Sequence, residues 1–83
     1  MSTLDELIQT LRTAEERLED AGAHLATCRT ALAQAQQALA KLDPEHPASA
    51  IPPGLPRADD QIEGTQAAIE RILDTVRDFA TRL

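Results

Sequence analysis

The sequence predicts an all-α chain, a two-helix antiparallel coiled-coil hairpin with a long proline-rich connector, and three observations predict it. Leucine recurs every seven residues through the first half, at Leu4, Leu11, Leu18, Leu25, Leu32 and Leu39. A second apolar heptad series, Ile62, Ile69, Val76 and Leu83, occupies the last third. All five prolines lie between Pro44 and Pro56, in the gap between the two series. A strict seven-residue period marks helices that supercoil around a neighbour, with the gap supplying the reversal.

The first helix is predicted over about 3–42. With the leucines at heptad position a, position d holds Leu7, Ala14, Ala21, Cys28, Ala35 and Leu42. Thr3 and Glu6 have the spacing of a capping box, and Asp5 and Glu6 suit the positive end of the helix dipole. Lys41 suits the negative end, and Asp43-Pro44 stops the helix, because the residue before proline is disfavoured in the α region. At 1.5 Å per residue, such a helix is about 60 Å long.

The connector, 43–56, is longer than most links between packed helices. Its Pro52-Pro53-Gly54-Leu55-Pro56 end resembles a polyproline II ligand, although a stiff spacer that separates two helices accounts for the same prolines. The second helix is predicted over about 57–82, with Asp59 or Asp60 as its cap. It places Ile62, Ile69, Val76 and Leu83 at a, Thr65, Ile72 and Phe79 at d, and Leu73 and Ala80 at e. Asp78 and Arg82 form an i,i+4 ion pair in the favourable order. The hairpin core expected from both series is Leu18, Leu25, Cys28, Leu32, Leu39, Ile62, Ile69, Ile72, Val76 and Phe79.

With 83 residues the chain forms one domain, 1–83, with a small core. Phe79 is its sole aromatic residue, so Leu, Ile and Ala carry the packing. The small residues at d allow close helix approach. Further alanines at 26, 31, 33, 38 and 40 leave helix one open to contact on more than one side, while also favouring the helix as such.

The two predicted helices differ in length. A second helix of about 26 residues spans ~39 Å, so Leu83 reaches only the level of about residue 16. Leu4, Leu7, Ile8 and Leu11 then lack an intramolecular partner, and burying each is worth about 1.5–3 kcal/mol. The sequence therefore predicts association into a helical bundle, a homodimer or a larger complex, with these four residues at the contact. A break at Gly22, giving three helices, is the alternative; the heptad series runs through Gly22 without a slip and favours one continuous helix.

Composition excludes several functions. The net charge of -6 is shared by both helical blocks, and no basic stripe or stacking aromatic offers a nucleic-acid or anionic-lipid surface. Cys28 is the single cysteine, so no internal disulfide forms. His24 and Cys28, one turn apart, supply two metal ligands at most, and only a dimer would make four. The carboxylate clusters Glu15-Glu16-Glu19-Asp20 and Asp59-Asp60-Glu63 read as solvated faces, since a rod has no pocket to separate their pKa values. Neither a nucleophile–base set nor a phosphate-binding glycine loop is present, so no enzyme, cofactor or metal is expected. The opening residues lack a basic segment followed by an apolar one, and no stretch is long enough to span a bilayer. A cytoplasmic location is expected, with secretion by a route that uses no cleaved signal as the alternative.

A helix–connector–helix chain of this length resembles the small ESX-type proteins of type VII secretion, in size, in hairpin form and in pairing into four-helix bundles. The family's Trp-x-Gly turn and its Tyr-containing signal after the second helix are absent here. The resemblance is thus one of architecture and carries no site residue across. The Ala-, Arg- and Asp-rich composition also resembles that of helical hairpins from high-GC bacteria. The function expected is a protein–protein interaction module, an assembly subunit or adaptor working through its leucine heptad face. An ESX-like secreted protein or its companion is one alternative, and a small acidic inhibitor or immunity-type protein is another.

Overall fold

A computed structural model describes residues 2–83. Helix α1 runs Thr3–Ala40 and helix α2 runs Gly54–Thr81, joined by a connector that includes one 3-10 turn, Pro47–Ala50. The described residues contain no strand. The helices fold back on one another to make a rod with extents of 65 × 17 × 15 Å. Helix α1 is unbroken at Gly22, as the slip-free heptad series predicts.

The boundaries differ from the sequence expectation for identifiable reasons. The N-cap is Ser2 rather than Thr3: its backbone is extended and its Oγ accepts a hydrogen bond from the Asp5 N–H at 3.1 Å. Ser2 meets the same chemical need one position earlier, so Thr3 becomes the first helical residue. Helix α1 ends at Ala40, two residues short of the expected end, and the chain leaves through turn residues Lys41 and Leu42. There Asp43 Oδ1 accepts from the His46 N–H at 3.2 Å, closing a local turn that competes with further helix.

Helix α2 starts three residues early, at Gly54, so Asp59 and Asp60 are interior residues rather than caps. Pro53 already has α-region angles (φ -58, ψ -23), and the Leu55 and Arg57 N–H groups donate to the Pro52 and Pro53 carbonyls at 3.0 and 3.3 Å. Pro56 fits within this first turn because its missing N–H would have had no helical partner there. The Pro-Pro-Gly-Leu-Pro segment is therefore the start of a helix and not an extended polyproline strand.

The largest departure concerns the rows that form the seam. Along α1 the residues removed from solvent include Ile8, Leu11, Glu15, Leu18, Gly22, Leu25, Arg29, Leu32, Gln36 and Leu39. Along α2 they include Leu55, Asp59, Ile62, Gln66, Ile69, Leu73, Val76 and Ala80. The series follow rows a and e; of row d, the small Ala14 and Ala21 on α1 and Ala58 on α2 are partly covered as well. Leu73 and Ile69 are the two buried hydrophobic residues among those described. Of the ten expected core residues, Leu18, Leu25, Leu32, Leu39, Ile62, Ile69 and Val76 lie in the seam. Cys28, Ile72 and Phe79, all at d, do not: they are exposed. The e rows hold the charges that attract across the seam, including Arg29 on α1 and Asp59 on α2. Small d residues on α1 give a close partner no comparable contact.

Candidate functional site

Two arginines, Arg29 on α1 and Arg77 on α2, make the polar contacts that set the register. Arg29 Nε donates to Asp59 Oδ1 at 2.9 Å, its Nη2 donates to Asp59 Oδ2 at 3.3 Å, and its Nη1 donates to Gln66 Oε1 at 3.1 Å. Glu63 stands 3.8 Å from the same guanidinium. Towards the other end, Arg77 Nη2 donates to Glu19 Oε1 at 2.8 Å, and its Nε lies 3.8 Å from Glu15. The hydrogen bond with Arg29 is the main cause holding the Asp59 carboxyl below its ordinary pKa, and the same bond raises that of Arg29. Asp78 and Arg82 pair at 2.9 Å, as their spacing predicts.

This register brings α2 further along α1 than lengths alone suggest. Arg77 straddles Glu15 and Glu19, and Leu83 lies six residues, about 9 Å, beyond it. Leu83 thus stands near the level of Leu11, not of residue 16. Of the four residues expected to lack a partner, Ile8 and Leu11 are half-buried, whereas Leu4 and Leu7 remain exposed. Helix α2 gains this reach because it begins at Gly54 and lies alongside α1 from its first turn.

The d rows form a surface that the heptad pattern assigned to the core. In an antiparallel pair, rows lying on the same side of each seam emerge on the same face of the hairpin. Helix α1 contributes the exposed Leu7, Cys28 and Ala35 and the half-buried Ala14 and Ala21, and α2 contributes the exposed Thr65, Ile72 and Phe79. Ile72, in the interior of α2, is 48 % exposed, and Phe79, in its last turn, is 50 % exposed. A shallow depression beside Ile72 is lined by Ala68, Arg71, Thr75 and Val76, all on α2, and has no opposing wall. None of the 14 acidic residues occupies row d or the adjoining row g (Thr10, Arg17, His24, Ala31 and Ala38 on α1; Gln61, Ala68, Thr75 and Arg82 on α2). On a chain of net charge -6, this one face is free of carboxylates.

The remaining features do not build a chemical site. The depression between Asp5 and Arg17 is walled by one helix alone, so nothing opposes a ligand placed there. His24 and Cys28 are both exposed, and no three His, Cys, Asp or Glu residues among those described converge on a point. Among the described residues, no helix is long and apolar enough to cross a membrane. Sequence reasoning missed Arg29 and overlooked Asp59 as its partner. The signal was available: Arg29 interrupts the otherwise uncharged run from Leu25 to Ala40. Compared with known proteins, the chain matches no family model, no curated protein and no solved structure.

Proposed function

We propose that the chain is a non-enzymatic protein–protein interaction module, an assembly subunit or adaptor, that binds through the acid-free face formed by the two d rows. The observation carrying this reading is that Ile72 and Phe79 stand half-exposed on that face while Ile69 and Leu73 are the only buried hydrophobic side chains among the described residues. Apolar side chains grouped in one patch and rimmed by polar residues are how soluble proteins mark a contact surface. The leucines beyond the reach of α2, Leu4 and Leu7, extend the patch towards the start of α1.

A photo-crosslinking residue placed at Phe79 tests the reading in cells that make the protein. Phe79 is expected to crosslink to protein, whereas Ala67, exposed on the opposite side of α2, is expected to give little. Equal labelling from the two positions would refute the assignment of this face.

A further inference from the structure

We infer that the occupant of this face is a second copy of the chain, paired about a two-fold axis parallel to the helices, so that α1 of each hairpin packs on α2 of the other. This rests on the interaction reading above and names its partner. Three independent observations support it.

The first is area. The chain exposes 6190 Å². A compact monomer of 9.0 kDa exposes roughly 4,900 Å², leaving an excess of about 1,300 Å². A standard stable interface covers ~800 Å² on each partner, so one dimer contact absorbs most of the excess. The hairpin alone also hides only about half of the ~13,000 Å² that its unfolded chain would expose, less than even a 60-residue domain hides.

The second is charge. Two copies that each carry a net charge of -6 repel one another, and carboxylates desolvated between them would be costly. The d and g rows are the surface on which two copies meet without placing any carboxylate at the centre of the contact.

The third is size. In the observed register Ala14 lies level with Phe79, Ala21 with Ile72, and Cys28 with Thr65. An axis parallel to the helices preserves these levels and sets each α1 residue against the partner's α2. The partner's Phe79 then meets Ala14, and the partner's Ile72 meets Ala21, a large side chain against a small one in each layer. All four helices run antiparallel to their neighbours, the ordinary arrangement of a four-helix bundle. An axis across the helices at the level of Ala21 would instead stack alanine on alanine along α1 and Ile72 on Ile72 along α2, with unequal separation of the two helix pairs. Large-on-small layering allows an even separation of about 8–10 Å.

Sedimentation equilibrium and disulfide trapping test the pairing. The purified chain is expected to be a dimer at micromolar concentration. Ile72→Asp with Phe79→Asp is expected to raise its dissociation constant by roughly 100-fold or more. Thr65→Cys supplies a direct geometric probe, because Cys28 of one copy should then meet the introduced thiol of the other. Mild oxidation of Thr65→Cys is expected to give a covalent dimer, and the same change in a Cys28→Ser background is expected to give little. This arm decides the matter even if the aspartate pair unfolds the hairpin. A purified chain that is monomeric at tens of micromolar, or equal crosslinking in both backgrounds, would overturn the pairing. Crosslinks from Phe79 to other proteins by a chain that is itself monomeric would sink self-pairing and leave the interaction reading standing.

Discussion

Arg29 and Asp59, thirty residues apart in the chain, are joined by two parallel hydrogen bonds of 2.9 and 3.3 Å across the helix seam. The planar guanidinium matches the carboxylate edge to edge, a fit lysine cannot reproduce. Arg29→Lys is therefore expected to lower the unfolding temperature, and Asp59→Asn to lower it similarly, with the double variant little worse than either. Thermal unfolding followed by circular dichroism would check this double-mutant cycle; additive losses would mean that the two residues act separately.

Acid should erase that coupling. Asp59 has its pKa lowered from the ordinary 3.8 by the Arg29 hydrogen bond. A group with a lowered folded pKa stabilises fully above its unfolded value and loses the contribution as pH falls through the folded value. The difference between the natural chain and Asp59→Asn is expected to be level between pH 5 and pH 7 and to shrink below about pH 4. Urea titrations across this range would show it, and a difference that persists at pH 2 would contradict the assignment.

Gly22 sits in the middle of α1 and in the seam, yet a Cβ built there meets nothing within 4 Å, and the same holds at Gly64 in α2. Alanine at either position removes the backbone entropy cost of glycine without a clash. Gly22→Ala and Gly64→Ala are each expected to stabilise the fold by about 0.5–1 kcal/mol. Denaturant midpoints at constant slope would measure the gain.

Neighbouring residues on α2 separate the seam from the outer face. Leu73 is 3 % exposed and Ile72 is 48 % exposed, so truncation of each reports on a different contact. Leu73→Ala is expected to cost about 2–3 kcal/mol of hairpin stability at any protein concentration. Ile72→Ala is expected to act mainly through association, with a loss that depends on concentration. If the two variants behaved alike, the assignment of rows a and e to the seam would be wrong.

The start of α1 gives a simpler contrast. The Ser2 hydroxyl caps the helix and the Thr3 hydroxyl does not. Ser2→Ala is expected to cost about 0.5–1 kcal/mol and Thr3→Ala much less. Amide exchange in the first turn would register the difference.

The leucine period made two helices, their antiparallel reversal and the continuity of α1 through Gly22 legible, because a heptad encodes its own periodicity regardless of context. Which second row joins the leucines was not legible. Rows d and e lie on either side of row a, and apolar content pointed to d, with Ile72 and Phe79. The choice turned on a contact between residues thirty positions apart, in which Arg29 and Asp59 bring row e inward. Hydrophobic pattern within one helix carries no information about such a pair. The candidate face was hidden for the same reason: Cys28, Ile72 and Phe79 read as core until their row was known to point outward. The early start of α2 was masked by its prolines, which mark a break in the interior of a helix but are tolerated in its first turn.

The hairpin also has a mechanical polarity. Its two described chain ends lie together at one end of a 65 Å rod, and the Arg29–Asp59 clamp lies towards the other, near the connector. Tension drawn between those ends would load the seam as a zipper and not in shear. The helices would come away from each other layer by layer, from Leu11 and Ala80 inward, and the guanidinium–carboxylate pair would be among the last contacts to yield.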